Sequence, residues 1–195
     1  MSKTKILALI VAVIGSLLYL KTNFFSTLSW EKYLDAGQAA LMKKNYAEAE
    51  QKLRQALKEA ENFSEGDPRL RLTVANLAKT YREQGKDAEA MPFYKRILAI
   101  DEKTLGPEHP VVAASLNNLA NNYRIRGKYA EAEPLYRRAL EIWVKILGPD
   151  DLLVAHVEES YADTLRNMGR VPEAEKLEAH VKSIEAKQKN NDSSP

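Results

Sequence analysis

A step of 42 residues constrains this chain more than any other feature. Gly85, Gly127 and Gly169 stand that far apart, as do Ala78, Ala120 and Ala162, and Arg82, Arg124 and Arg166. Leu105-Gly106-Pro107 likewise returns as Leu147-Gly148-Pro149. A fixed period of this length marks stacked supersecondary units, each burying its apolar face only against its neighbours. The stretch Leu105–Leu147 shows the unit most completely. Leu116, Leu119, Ala120 and Tyr123 fall at i, i+3, i+4, i+7, the stripe of a helix seated on a partner. Gly127 ends that helix, because glycine takes the left-handed capping geometry at least steric cost. Tyr129, Ala132, Leu135, Tyr136, Ala139, Leu140 and Trp143 form the stripe of a second helix. Small Ala120 and Ala132, flanking the turn, let the two backbones approach. Pro134 is read as lying near the start of the second helix, where a missing N–H costs least. Gly148-Pro149 stops that helix.

The same register extends both ways. The first repeat carries Trp30, Tyr33 and Gly37, then Ala49 and Ala56, with Gly37 where the others have alanine. In the second, Val74, Leu77, Ala78 and Tyr81 precede Gly85 and Ala90; Pro92 matches Pro134, and Ile97 replaces a small residue. The fourth keeps Ala162, Gly169 and Ala174 but has Glu158 where Val74 and Leu116 stood, and Glu178 where Tyr94 and Tyr136 stood. Polar replacement on the outward face of a last repeat is how a stacked array ends. Repeats are expected at about 30–63, 71–104, 113–146 and 155–186. The tail 187–195, from Lys187, is expected to fray for want of apolar residues.

Residues 1–29 read as an N-terminal hydrophobic helix and a short linker. Ile6 to Leu20 is an uncharged apolar run behind Lys3 and Lys5, with Lys21 following. Fifteen helical residues span only about 22 Å, short of a roughly 30 Å hydrocarbon core. Extension to Phe25 closes the gap, with Lys21 snorkelling and Tyr19, Phe24, Phe25 and Trp30 near the interface. A signal anchor over 6–25, a single transmembrane helix, is the leading reading, since no small-x-small cleavage pair follows the run; a cleaved signal, giving a secreted protein, is the main alternative and a buried helix the third. The lysine bias puts the repeats on the extracytoplasmic side. Thr22–Ser29 would be the linker.

Composition removes several function classes. A formal charge of +2 with interspersed signs offers no basic patch for nucleic acid. The absence of cysteine removes disulfide scaffolds, thiolate metal sites and a Cys nucleophile. The sequence holds no phosphate loop, GxGxxG, HExxH, GxSxG or EF-hand motif. His109, His156 and His180 are not at ligand spacing. No catalytic residue, metal site or cofactor is expected.

The pattern resembles the tetratricopeptide repeat, whose 34-residue core has small residues at its eighth and twentieth positions. The 42-residue step, the LGPEHP joint, SLNNLA and GKYAEAEPLYRRALEI are similar to the kinesin-light-chain type. The resemblance implies an all-α fold: a right-handed superhelical solenoid of four helix-turn-helix repeats whose concave groove takes a peptide or helix. One position beyond each core stripe runs a second stripe, Ala75, Lys79 and Arg82, then Asn117, Asn121 and Arg124, then Glu159, Asp163 and Arg166. The resemblance implies that this stripe lines the groove. Asn76 and Asn118 hold the sixth repeat position, where peptide-clamping members carry asparagine. Leu34, Ala75 and Ala114 replace the lysines of a carboxylate clamp, so an internal acidic segment is favoured over a free C-terminus. The expected groove is Asn76, Lys79, Arg82, Asn117, Asn118, Asn121, Arg124 and Arg166. Amides satisfy peptide backbone groups and guanidiniums pair with carboxylates. In the alternative reading the arginines pair with neighbouring carboxylates and the asparagines tie off joints. The functional expectation is a membrane-anchored adaptor or scaffold for a protein partner; a self-associating structural protein is the second, and an enzyme the third and weakest.

Overall fold

The computed structural model describes residues 3–64 and 66–192, excepting the side chains of 3–12, 17–23 and 190–192. Among the described residues it is entirely helical, and the chain divides into two compact units, 1–80 and 81–195.

The first unit holds α1 (Lys3–Met42), α2 (Tyr46–Ala60) and most of α3 (Pro68–Glu83). α1 and α2 pack as a hairpin. α1 is unbroken through Thr22–Ser29, where a linker was expected. Trp30, expected near a membrane interface, is instead buried. Its Nε1 donates to Thr73 Oγ1 at 2.8 Å and its ring meets Phe63 edge-on at 6.4 Å. Arg69 lies 3.5 Å from the Phe63 centroid and is held there by Asp67, with hydrogen bonds of 2.6 and 2.8 Å. An indole whose N–H has a partner is well suited to a core. Most of the proposed anchor, 6–25, falls on residues whose side chains lie outside the described ones. Among the described residues no helix is long and apolar enough to cross a membrane.

Gly37 has a steric cause. A Cβ there would stand 2.7 Å from Leu53 Cγ and 3.3 Å from the Leu53 backbone nitrogen, and Leu53 is fully buried. The other repeats tolerate alanine at this register; this one does not. Overpacking costs about 1–3 kcal/mol, and the helix-propensity gain of alanine returns about 0.5–1 kcal/mol. Gly37→Ala should therefore lower stability by about 1–2 kcal/mol, read as a fall in thermal midpoint. An unchanged or raised midpoint would mean that α1 and α2 are not in contact at Gly37. The turn that follows also departs from the pattern. Lys44, with φ 57°, takes the left-handed position that glycine holds in the other repeats, and Asn45 then caps α2 by accepting from the Glu48 amide.

The second unit comprises the end of α3, α4 (Asp87–Leu105), α5 (Pro110–Ile125), α6 (Tyr129–Leu147), α7 (Leu152–Asn167) and α8 (Val171–Asp192). α5 packs on α6 and α7 on α8, with α4 on α5 and α6 on α7 continuing the stack. The core is the expected stripe: Leu116, Ala120, Ala132, Tyr136, Ala139 and Trp143 join Val157, Ala162, Leu165 and Ala174. Gly127, at φ 69°, reverses the chain so that the Lys128 amide reaches the Tyr123 carbonyl at 2.9 Å. Gly106 and Gly148 adopt φ 87° and 89° with ψ 156° and 163°, a region essentially closed to residues with a Cβ. Each joint is thus written into one glycine.

Two expectations need correction. Pro92 and Pro134 are the sixth residues of α4 and α6, beyond the free first turn, so each removes an N–H that would have bonded the carbonyl four residues back. Glu158 is buried rather than outward, and its Oε2 meets His180 Nδ1 at 2.7 Å. Burial pushes its carboxyl above the usual range, and His180 draws it part-way back. The chain thus tolerates a carboxylate at a core position by supplying a partner from α8. Of the tail 187–195, α8 takes in the residues to Asp192, with Lys187 Nζ 2.7 Å from Asp150 Oδ2, and 193–195 lie outside the described residues.

Candidate peptide-binding cleft

Polar residues join successive repeats of the second unit and place its surface. Asn122, buried on α5, donates from Nδ2 to the Asp87 carbonyl at the start of α4, at 2.9 Å. Ser115 Oγ meets Asp101 Oδ2 at 2.5 Å in the interior. Glu133 on α6 accepts from Tyr161 of α7 at 3.1 Å and from Arg170 at 2.7 Å. The Arg170 guanidinium, with help from Tyr161 and Arg137, holds its carboxyl below the usual range against the effect of burial. These ties fix α4, α5, α6 and α7 in register.

Beside the Asn122 tie opens a cleft of about 170 Å³, lined by Arg82, Asp87, Tyr94, Asn118, Asn121, Asn122, Arg124 and Ile125. Arg82 and Asn118 are exposed at its rim. Tyr136, fully buried behind it, donates its hydroxyl to Asn121 Oδ1 at 2.9 Å. Asn121 Nδ2 faces Asn117 Oδ1 at 3.4 Å. Burial raises the hydroxyl pKa values of Tyr94 and Tyr136, while Arg82 and Arg124 respectively pull them back. Both phenols therefore remain protonated donors at neutral pH. Arg124 is half-buried; burial opposes its charge, but Asp163 and Tyr136 outweigh that and its pKa stands raised.

The expected groove residues fall into three groups. Arg82, Asn118, Asn121 and Arg124 meet in the cleft. Asn117 is buried behind it, and Arg166 is exposed outside the lining. Asn76 and Lys79 belong to the first unit; Asn76 Nδ2 donates to the Leu72 carbonyl of its own helix at 2.9 Å, and Lys79 is exposed. The arginines do not form a row of equivalent cations. Arg124 Nη1 meets Asp163 Oδ2 at 2.6 Å, and Arg166 grips both oxygens of Glu178 at 2.6 and 2.8 Å. Arg82 engages Tyr94 and has no carboxylate partner among the described residues. The pairing alternative thus holds for two of the three. Asp87, Tyr94, Asn122 and Ile125 were missed. Tyr94 had a signal, since it repeats as Tyr136, but that recurrence reads as core.

Chemically the cleft offers guanidinium and amide donors, amide acceptors, one carboxylate and an apolar wall. Two buried atoms in it have no hydrogen-bond partner, Asn122 Oδ1 and Arg124 Nε. Its volume is below the roughly 300–1,000 Å³ of small-molecule sites and suits one or two side chains of a longer ligand. Among the described residues there is no cluster of potential metal ligands, and no nucleophile–base pair faces the cleft.

Comparison with known proteins bears on the fold that carries the cleft. The sequence model of the tetratricopeptide repeat family matches residues 69–142 and 111–184. Among solved structures, the nearly identical TPR-like repeats of a protein described as a Podosopora anserina kinesin light chain align with TM-score 0.72 and 26% identity, covering 82% of this chain and 76% of that one. The apo form of RapI aligns with TM-score 0.70 at 15% identity over 83% of this chain and 57% of its own. MamA aligns with TM-score 0.63 at 16% identity, over 83% and 81%. The last two likenesses concern the fold alone. No curated protein matches in sequence.

Proposed function

The chain belongs to the tetratricopeptide repeat family, whose members bind protein partners, and from that premise we propose that it is a membrane-anchored adaptor holding a partner segment in the α3–α5 cleft. One observation carries the reading. Arg82 is an exposed cation with no ion pair to a carboxylate among the described residues, set in one cleft with Asn118, Asn121 and Arg124. Guanidiniums favour a carboxylate-bearing side chain, and amides can satisfy an extended backbone. The proposed ligand is therefore an internal acidic segment of a protein. Asn117 backs the cleft through Asn121, and Arg166 is proposed to extend it towards the fourth repeat. The kinesin-light-chain likeness supports peptide capture. Motor transport is not part of the proposal.

The anchor is proposed at residues 6–25, with the repeats on the extracytoplasmic side. In support, the apolar run lies within one helix that continues to Met42, and Phe24, Phe25 and Leu28 near its end are exposed. Such side chains suit the headgroup layer. Self-association is the second reading, favoured by exposed Val144, Ile146, Leu147, Leu152 and Leu153 around the Gly148-Pro149 joint.

A photo-crosslinking residue at Asn118 in the full chain, expressed in membranes of its host, separates these readings. We expect one heterologous protein captured from Asn118, and none from the same probe at Glu141, which is exposed on α6 outside the cleft lining. Capture of a second copy of the chain from Asn118 would replace the adaptor reading with self-association. Equal capture from both positions would remove the cleft from the account.

A further inference from the structure

We propose that Asp163 is a built-in competitor for the acidic ligand, occupying Arg124 so that Arg82 is the cleft's open cationic position. The inference rests on the peptide-binding reading above and adds to it a residue that sets affinity and selectivity.

The geometry is that of a carboxylate already bound. Asp163 Oδ2 accepts from Arg124 Nη1 at 2.6 Å, across from α7 to α5. Its Oδ1 accepts from Asn167 Nδ2 at 3.2 Å, and the same amide donates to the Asp163 carbonyl at 2.8 Å, one turn along α7. The carboxylate is thus aimed at the guanidinium by its own helix. Arg124 is otherwise prepared for an incoming acceptor, since its Nε is buried in the cleft without a partner. A ligand carboxylate near Arg124 must displace Asp163 or share the cation with it, and either lowers its affinity. Displacement is feasible because the Asp163 side chain is 52% exposed. Arg166, the next arginine, is already chelated by Glu178. Arg82 has no ion pair with a carboxylate among the described residues, and it would receive the first acidic side chain.

The repeat register supports a role beyond structure. Asp163 stands 42 residues after Asn121, so the third repeat has the amide where the fourth has the acid. An asparagine at 163 is therefore a residue type this helix face already accommodates. It keeps size and hydrogen-bonding capacity while removing the charge.

The test uses the full chain in detergent with two blocked decapeptides, one of alternating glutamate and alanine, the other of alternating glutamine and alanine. Binding is titrated by fluorescence anisotropy. Asp163→Asn should tighten binding of the glutamate peptide about tenfold, leave the glutamine peptide unchanged, and shift the thermal midpoint by no more than a few degrees, as for a half-exposed pair. Binding of the glutamate peptide that is unchanged or weaker in Asp163→Asn would overturn the inference while leaving the cleft reading intact. Weaker binding would show that Asp163 positions Arg124. Equal tightening of both peptides would overturn it as well, since the effect would then not depend on ligand charge. Failure of native and variant chains alike to bind the glutamate peptide would remove the acidic-ligand reading, and this inference with it.

Discussion

Tyr136→Ala is expected to destabilise the second unit by about 4 kcal/mol, the largest effect of any single truncation near the cleft. Tyr136 is fully buried at the centre of the core formed by α5, α6 and α7, and its ring stacks on Tyr161 at 5.9 Å. Removing a large buried ring costs about 3–5 kcal/mol in lost transfer energy and residual cavity. The hydroxyl adds to this. It donates to Asn121 Oδ1, and an amide oxygen left without a partner costs about 1–3 kcal/mol where water cannot reach it. Against a total of about 5–15 kcal/mol, such a loss takes the unit close to its threshold. Tyr136→Phe separates the two parts: it should cost about 1 kcal/mol and keep the ring stack. Chemical denaturation of both variants, with hydrogen exchange on α5 and α6, reads the difference. A loss below about 1 kcal/mol for the alanine variant would mean that the ring does not fill the core.

The second large effect concerns the ligand. Arg82→Glu should weaken partner binding by about 10- to 100-fold, equivalent to roughly 1.4–2.7 kcal/mol. The change removes a cleft guanidinium that pairs with no carboxylate among the described residues and replaces it with a repelling charge. The fold should tolerate it, because Arg82 is exposed and carries no ion pair among the described residues. Lys176→Glu, an equal charge change at an exposed site on α8 outside the cleft lining, should leave affinity within a factor of two.

How far the sequence speaks depends on which interaction placed each residue. Core residues were legible because burial leaves a period: Leu116, Ala120, Ala132, Tyr136 and Ala139 recur at helical spacing and lie together in the core. The joints were legible because Gly106 and Gly148 adopt backbone angles that a Cβ forbids. Residues that depend on a partner from another helix were less so. Glu158 looked like an end-of-array surface residue because its spacing gives no hint of His180, 22 positions away. Gly37 looked like a departure from the alanine pattern until Leu53 showed why the space is missing. The arginine spacing placed Arg82 and Arg124 in one cleft, yet periodicity carries no information about ion pairs. Asp163 lay on the same stripe, and its pairing with Arg124 appears only once α5 and α7 are side by side. Proline misled for a related reason: position within a helix needs the helix boundary, and α6 begins at Tyr129, too early for Pro134 to fall in its first turn.

The proposed partner site is one cleft, opened by Arg82 and walled by Asn118, Asn121 and Arg124. The most direct measurement takes the protein captured from Asn118 and titrates it against the full chain, native and Arg82→Glu, at low and at physiological salt. Binding by the native chain is expected to weaken with salt, and Arg82→Glu to lose at least tenfold at low salt. Native and Arg82→Glu chains that bind the partner equally at both salt concentrations would contradict it.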